Sequence, residues 1–305
     1  MTSITLAQAA LLSQDELLSG VITNIWTVNQ WYELMPFMGI HGNSLAYDRE
    51  LVLGDVQLAA VGDTITAKNP ATFTQVNSKL TTIIGDAEVN GLVQATQSDH
   101  NNQEAIQIAS KAKSMGRQYQ GLMITGTGAS NQFPGLITLT DSSKLSTTAT
   151  NGETLSFSRM DEVIDNVIDK DGQVDYMVMH SRTVRSYKAI LRALGGNSVD
   201  DMYQLPSGAR VNAYSGVPIF RNDWIPVNQT QGTGTGLTSF WAGTFDDGSG
   251  KHGVSGLTAE NAAGVQVEEV GVHQSRDETI TRVKWYVSMA LFSLNGLAQA
   301  PGISN

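Results

Sequence analysis

The chain has 305 residues and a formal net charge of −10, and only 16% of its residues are charged, so it is long enough for a sizeable core. It has no cysteine, which excludes disulfides, thiolate catalysis and thiolate metal sites. We expect no cluster of Lys and Arg that could neutralise phosphates, no membrane span, and no secretory signal in residues 1–12.

Residues 1–45 are predicted to form an N-terminal arm. Ser13 to Glu16 is typical of a helix start, and Leu17 to Trp26 follows with apolar residues at helical spacing. A dense apolar patch comes next, made of Trp31, Tyr32, Leu34, Met35, Phe37 and Met38. An exposed patch of this size must be covered, so the arm is either an ordinary core helix or a segment packed on a neighbouring subunit.

Residues 46–85 are predicted to form a long β-excursion. The pattern predicts a strand over Leu51–Ala60, a polar tip over 63–70 and a return strand over Phe73–Ile84. A hairpin alone is only marginally stable in water, so this one must lie on something else.

Two helices are predicted after the excursion. The first is short and lies around Val89–Val93, and Asp99 is a plausible N-cap for the second. The second helix has apolar residues three or four positions apart, at Ala105, Ile108, Ala112, Met115, Tyr119 and Leu122. This narrow stripe fits a helix that supports a sheet, although a simple amphipathic surface helix gives the same pattern.

Residues 123–255 are predicted to be mixed α/β. Ser158 and Asp161 resemble a capping box at the start of one helix, and Gly195 ends another. The predicted elements are a helix over 160–168, a strand over 174–179, a helix over 181–194, short strands over 216–220 and 239–243, and a flexible glycine-rich loop over 231–236.

The C-terminal region is predicted to form a long two-stranded ribbon from 265–270 and 279–292. In the second segment polar and apolar residues alternate strictly, which predicts a strand with one buried face. The apolar face comprises Val283, Trp285, Val287, Met289 and Leu291.

The sequence shows no constellation typical of catalysis. Its five histidines lack metal-ligand spacing, and the segments 126–128 and 232–236 lack the remaining residues of a nucleotide-binding loop. The pair Asp246-Asp247 before a glycine is typical of a turn. We therefore predict no catalytic residue, no cofactor and no metal, and keep open one enzyme alternative, an α/β fold that uses His180 and Asp175.

The order of these elements resembles that of the major capsid proteins of tailed bacteriophages, which share the Hong Kong 97 fold. Local runs that resemble the family are Thr81–Asp86, Gln107–Gly126, Asn131–Ile137, Tyr214–Asp223, Trp241–Phe245 and Arg282–Val287. The resemblance spans nearly the whole chain, and its strength lies in the ordered combination rather than in any single motif.

The resemblance implies an α+β chain with the Hong Kong 97-like capsid fold, divided into an arm, an extended loop and two domains. The arm is 1–45, the extended β-hairpin loop is 46–85, the peripheral domain with its spine helix and β-ribbon is 86–125 and 256–305, and the axial α/β domain is 126–255. Contacts between subunits are expected at Trp26, Trp31, Phe37, Lys68, Phe73 and Trp285.

The function implied is that of a major capsid protein rather than an enzyme. The subunits would form hexamers and pentamers of an icosahedral shell that encloses double-stranded DNA without specific binding, assembled in the host cytoplasm and retained in the virion. Expected partners are further copies of the chain, a separate scaffolding protein, a portal and a decoration protein, with no membrane.

Lys68 and Lys79 lie in the loop, but no asparagine partner for a covalent cross-link can be matched. An encapsulin-type compartment with the same fold is the alternative.

Overall fold

The computed structural model describes residues 31–97, 102–146, 149–169, 172–193, 201–206 and 208–304. The helices are α1 (Trp31–Leu34), α2 (Gly91–Gln97), α3 (Gln103–Thr125), α4 (Leu136–Leu139), α5 (Phe157–Ile168) and α6 (Ser181–Ala193). The strands are β1 (Phe37–Ile40), β2 (Ser44–Val52), β3 (Thr72–Lys79), β4 (Thr81–Asn90), β5 (Glu153–Thr154), β6 (Tyr176–Met179), β7 (Asp201–Gln204), β8 (Arg210–Tyr214), β9 (Val217–Arg221), β10 (Gln229–Gln231), β11 (Gly234–Gly243), β12 (Val254–Ala259), β13 (Gln266–Val272), β14 (Glu278–Leu291) and β15 (Leu297–Ser304).

The strand β14 organises a five-stranded sheet. It pairs antiparallel with β4 along one side and with β13 and then β12 along the other, and β1 extends the sheet beyond β12. The predicted long strand and its antiparallel pairing with the preceding strand, β13, are therefore confirmed, and this ribbon is part of a five-stranded sheet. The predicted single buried face holds only for the first part of β14, because all five residues from Val287 to Leu291 are buried.

A second, eight-stranded sheet has the order β5-β15-β11-β6-β9-β8-β7, with β10 paired to β11. Strands β6 and β9 are parallel, and β11 is antiparallel to both β6 and β15. The pairing departs from the predicted division of the chain, because β15 lies in this sheet although 256–305 is assigned to the peripheral domain. The glycine-rich segment 231–236 is predicted as a flexible loop, but only residues 232–233 form the turn between the paired strands, because Gln231 ends β10 and Gly234 begins β11.

The long helix α3 packs on β4 and β14 and fits the role of a support for the five-stranded sheet. Its N-cap is Asn102, whose side chain accepts a hydrogen bond from the amide of Ala105, and the predicted cap Asp99 lies outside the described residues. The predicted stripe is buried at its C-terminal end, at Met115, Tyr119 and Leu122. Ala105 at the other end of the stripe is exposed.

The chain leaves α3 through a close backbone crossing that requires two glycines. The amide of Gly126 donates to the Leu122 carbonyl at 2.8 Å, and the amide of Gly135 donates to the Gly126 carbonyl at 2.9 Å. A Cβ at Gly135 would lie 2.5 Å from the Leu122 carbonyl oxygen, which no side chain tolerates. The segment 127–135, which precedes α4, is thereby held against the C-terminal end of α3.

Two cores lie on opposite faces of the eight-stranded sheet. The larger one joins this sheet to α3 and β14, with Trp31, Tyr119, Tyr176 and Val287 among its members. The second lies beneath α5 and α6. The N-cap of α5 is Ser156, whose hydroxyl accepts from the Arg159 amide. The predicted capping box of Ser158 and Asp161 is therefore wrong, because the cap lies two residues earlier and Arg159 has no acceptor that could return the hydrogen bond.

Among the helices that the structure describes, none is long and apolar enough to cross a membrane.

Candidate assembly surface

The β2–β3 hairpin is fastened at its root to the end of β14. The hydroxyl of Tyr47 donates to the Leu291 carbonyl at 2.8 Å, and the guanidinium of Arg49 donates to the carbonyls of Leu291 and Phe292 at 2.5 and 2.9 Å. The ring of Tyr47 also packs edge-on against Phe292, with the ring centroids 5.1 Å apart. Polar and aromatic contacts thus hold the root to the body of the subunit.

The tip of the hairpin is built around one glutamine. The Oε1 atom of Gln57 accepts from the Thr66 amide at 2.6 Å, the Thr66 hydroxyl at 2.8 Å and the Ala67 amide at 2.9 Å. Its Nε2 atom donates to the Thr64 carbonyl at 3.2 Å. These bonds join the outgoing and returning sides of a segment that has no strand pairing of its own, so the tip has a defined shape.

The apolar side chains of this tip contact almost nothing in their own subunit. Val56 is 94% exposed, Leu58 104% and Val61 108%, and Leu53 and Ile65 are also largely exposed. The tip comprises residues 53–71 and lies between the paired strands β2 and β3, at the end of the hairpin. An apolar tip with a hydrogen-bonded shape and no cover within the subunit is typical of a surface that binds another molecule.

The expected strand limits within this excursion need correction. A strand over Leu51–Ala60 is wrong beyond Val52, because residues 53–71 have no regular structure. The predicted return strand is two strands, β3 and β4, interrupted at Leu80, whose amide donates to the Asn43 carbonyl at 2.9 Å. Only β2 and β3 form the hairpin, because β4 has turned into the five-stranded sheet.

A second exposed apolar strip lies along β13, the edge strand next to the first half of β14. Its valines are about half exposed or more, at Val265, Val267, Val270 and Val272. Edge strands with exposed apolar residues can pair with other chains. The strip is therefore a second candidate contact surface.

The outer face of the five-stranded sheet carries two ion pairs. The carboxylate of Asp86 on β4 accepts two hydrogen bonds from the Arg282 guanidinium on β14, at 2.8 and 2.9 Å. The hydrogen bond from Arg282 lowers the pKa of Asp86 below its usual value. Lys284 pairs with Glu268 of β13 on the same face. This face therefore carries more charge than the hairpin tip, although Ile84 is also exposed on it.

No protein-family model and no curated protein matches the sequence. Solved structures do match over nearly the whole chain. A subunit of the holo-SrpI encapsulin complex from Synechococcus elongatus PCC 7942 has 15% identity, covers 99% of this chain and 97% of its own, and gives a TM-score of 0.74. The Cyanophage A-1(L) capsid has 10% identity, coverage of 95% and 97%, and a TM-score of 0.70.

The capsid of a native GTA particle matches in the same way, with 11% identity, coverage of 95% and 94%, and a TM-score of 0.67. The chain has the Hong Kong 97-like capsid fold. The α+β class, the spine helix and the extended hairpin loop predicted from the sequence are confirmed by the strands and helices that the structure describes.

The residues predicted to contact neighbours fall into four groups. Phe37, Lys68 and Phe73 are exposed. Trp285 is half-buried against Tyr119, with ring centroids 4.5 Å apart. Trp31 is fully buried in its own subunit and offers no surface to a neighbour. Trp26 lies outside the described residues. Contact of the exposed residues with a neighbour stays a prediction.

The enzyme alternative finds no geometric support in the capsid fold. Asp175 and His180 stand at opposite ends of β6, about 16 Å apart at roughly 3.3 Å per residue. Asp175 accepts from the Phe245 amide at 2.9 Å, and the nearest carboxylate to His180 is that of Asp223, at 4.0 Å. The two residues therefore do not form a catalytic pair.

A cavity of about 440 Å³ lies where the chain passes between the two sheets of the capsid fold, and Asp175, Asp246 and His252 line it. The carboxylate of Asp246 accepts from the amides of Gly248 and Gly250, which confirms the predicted turn. Within the described residues, no group of three or more His, Cys, Asp or Glu is placed to hold a metal ion. The carboxylates here stabilise loops.

The expectation of no clustered Lys and Arg is wrong for α6. Its side chains at Arg182, Arg185, Lys188 and Arg192 recur every three or four residues, which places them on one face of the helix. The buried residues Thr183 and Tyr187 lie on the opposite face. The helical spacing of these four cations can be read from the sequence, but apolar residues lie between them, so they do not form a continuous basic run.

Proposed function

We propose that the protein is the major capsid protein of a tailed phage, which assembles through hexamers and pentamers into an icosahedral shell around double-stranded DNA. The capsid fold supports this proposal, and one observation is central to it. The hairpin tip is ordered by its own hydrogen bonds, yet its aliphatic side chains are left uncovered. An ordered, uncovered apolar surface of this kind is suited to bind a neighbouring copy of the chain.

The length of the hairpin supports contact with another subunit rather than with its own. The nine residues of β2 extend about 30 Å at roughly 3.3 Å per residue. Only the first part of β2, through Tyr47 and Arg49, bonds to the body of the subunit. The tip beyond Val52 therefore projects to where a neighbour would lie.

The energetics favour a contact of this kind. Burying one fully exposed Val or Leu side chain contributes about 1.5–3 kcal/mol, and the tip presents several. Part of this gain is offset by the loss of translational and rotational freedom when subunits associate. The bonds at Gln57 reduce the further cost of ordering the loop, because the loop is already shaped in the free subunit.

An encapsulin-type compartment is the second candidate, and one observation favours it. The encapsulin subunit gives a TM-score of 0.74, above the 0.70 of the cyanophage capsid. Both kinds of shell would use the same assembly surfaces. The contents of the particles separate them, because a phage head holds DNA and an encapsulin compartment holds protein cargo.

The experiment is to express the chain and examine it by sedimentation and negative-stain electron microscopy. Closed particles are expected rather than a monomer of 32.7 kDa. A monomer or dimer at every concentration tested contradicts the proposal. Particles purified from the native source then distinguish the candidates by whether nuclease-protected DNA or a protein cargo lies inside.

The remaining partners follow from the same proposal. A separate scaffolding protein, a portal and a decoration protein would act with the shell, which is assembled in the host cytoplasm and becomes part of the virion. The acidic net charge of −10 supports a wall that encloses DNA without binding it specifically. Precursor shells that contain no second internal protein would contradict the scaffolding assignment.

A further inference from the structure

Helices α5 and α6 lie side by side on the same face of the eight-stranded sheet, and Phe157 of α5 contacts Tyr187 of α6 with ring centroids 6.2 Å apart. Helix α5 packs on β11 and β15, near one end of the sheet. Helix α6 is anchored nearer the other end, where the Tyr187 hydroxyl donates to the Ala213 carbonyl of β8 at 2.9 Å. The two helices are therefore neighbours, and each presents an outward face of its own.

The outward face of α6 is basic. Arg185 and Arg192 are exposed and Lys188 is partly exposed, and no acidic residue lies anywhere in the helix. In the part of the chain that the structure describes, none of these three forms an ion pair. In a protein with a net charge of −10, this is a concentrated positive surface with unused charge.

The outward face of α5 is acidic. Asp161 and Asp165 are exposed and lie one turn apart, and Glu162 and Asp169 border them. The buried residues of α5, such as Met160 and Val167, lie on the opposite face. Asp161 accepts a hydrogen bond from the Tyr214 hydroxyl, at 2.6 Å, and forms no ion pair with the residues that the structure describes. The pattern is the complement of that on α6.

We propose that the basic face of α6 in one copy docks against the acidic face of α5 in the next copy. This inference rests on the proposed function, because it concerns how copies pack around the axis of a hexamer or pentamer. Two different, complementary surfaces on one subunit make a head-to-tail contact, and such contacts generate closed rings when the rotation between copies closes. The charges would select the neighbour and set its register.

The test exchanges the two charges. The basic-face variant is Arg185→Glu/Lys188→Glu, and the acidic-face variant is Asp161→Lys/Asp165→Lys. Each alone should lower the yield of rings and particles by about tenfold or more, since like charges then meet across the contact. The combined variant restores opposite charges and should recover the yield to within a few-fold of the wild type. The control variant, Lys251→Glu, reverses a charge on an exposed loop elsewhere and should assemble normally.

Ionic strength gives a second readout. Raising the salt from about 0.15 M to 1 M shortens the Debye length from roughly 8 Å to 3 Å, so the gap between each single-face variant and the wild type should narrow. Far-UV circular dichroism and unfolding midpoints must show that the variant subunits are folded. A combined variant no better than the single-face variants overturns the proposal.

Two further outcomes are informative. Normal assembly of the basic-face variant overturns the inference. If this variant also loses binding of a 30-base-pair DNA duplex, the basic face of α6 binds nucleic acid instead. If the wild-type chain forms no particles, the proposed function fails instead. The two failures are therefore distinguishable.

Discussion

The hydroxyl of Tyr47 donates a hydrogen bond of 2.8 Å to the backbone carbonyl of Leu291, although 244 residues separate them in the sequence. This bond joins the start of the hairpin to the last residue of β14. The neighbouring Arg49 repeats the contact with two bonds of its own. The root is therefore fixed by side chains that reach backbone oxygens, so its strength can be tested one side chain at a time.

We expect Arg49→Ala to loosen the hairpin without unfolding the subunit. Hydrogen bonds from charged donors contribute about 1.5–3 kcal/mol when buried, and less is expected at this partly exposed site. Amide hydrogen exchange over 44–52 and proteolysis over 53–71 should both become faster. Glu50→Ala is the control, because Glu50 is exposed and lies next to Arg49 on the same strand. Equal exchange rates in the two variants would show that Arg49 does not hold the root.

We expect Leu58→Asp to prevent assembly while the subunit keeps its stability. The side chain is fully exposed, so the free energy of unfolding should change by less than about 0.5 kcal/mol. A carboxylate placed in an apolar contact is costly to desolvate. Particle yield is measured by sedimentation, with Leu58→Met as the control that keeps an apolar side chain of similar size. Particles formed by the Asp variant at wild-type concentrations would remove the tip from the assembly surface.

We expect Gln57→Ala to weaken assembly by disordering the tip rather than by removing a contact. The variant loses an acceptor for three donors, at Thr66 and Ala67, and hydrogen bonds typically contribute about 0.5–1.5 kcal/mol each. The concentration needed for assembly should rise about tenfold or more. Gln57→Glu keeps the acceptor oxygen and loses the donor to Thr64, so it should fall between the wild type and Gln57→Ala. Nuclear magnetic resonance of the free subunit checks whether residues 55–67 become mobile.

We expect the subunit to lose stability in mild acid through His180. Burial lowers the pKa of His180; Asp223 opposes this effect, and Arg182 and Arg221 add to it. Its Nδ1 accepts from the Arg182 amide at 3.0 Å in the first turn of α6. The folded state binds the proton less readily than the unfolded state, so protonation of His180 destabilises the fold. This destabilising effect is absent well above pH 6.5. The free energy of unfolding then falls as the pH drops through the unfolded pKa of about 6.5 towards the folded one.

Denaturant unfolding of the unassembled subunit between pH 8 and pH 5 measures this effect. His180→Asn can still accept the hydrogen bond from the helix amide but cannot titrate, so part of the decline should disappear. An identical decline in the variant would assign the acid sensitivity to other groups.

The sequence predicted the elements of this fold better than their partners. Alternation from Thr279 to Leu291 predicted a long strand correctly, because a period of two residues is a local property. It did not show that β4 would pair along most of β14, since strand pairing between distant segments leaves no local signal. The cap at Asn102 rather than Asp99 is a similar case, because both residues suit a helix start and only the packing of α3 selects the register.

The hairpin tip shows a different limit. Leu51 to Ala60 is apolar and was predicted as a strand, yet most of it forms an exposed, irregular loop. Apolar residues indicate that a segment becomes buried, but they do not say which molecule buries it. The segment was correctly assigned to the excursion because it had no core of its own.

The place where the hairpin is fastened links two parts of the subunit. Directly after Leu291 the backbone leaves the five-stranded sheet, and within six residues it enters the eight-stranded one as β15. The amide of Phe292 also donates to the Gly253 carbonyl at 3.0 Å, on the other strand connection between the sheets. A force that a neighbouring subunit exerts on the β2–β3 hairpin would therefore act directly on the connection between the two sheets. In a closed shell, mechanical strain would reach this connection first.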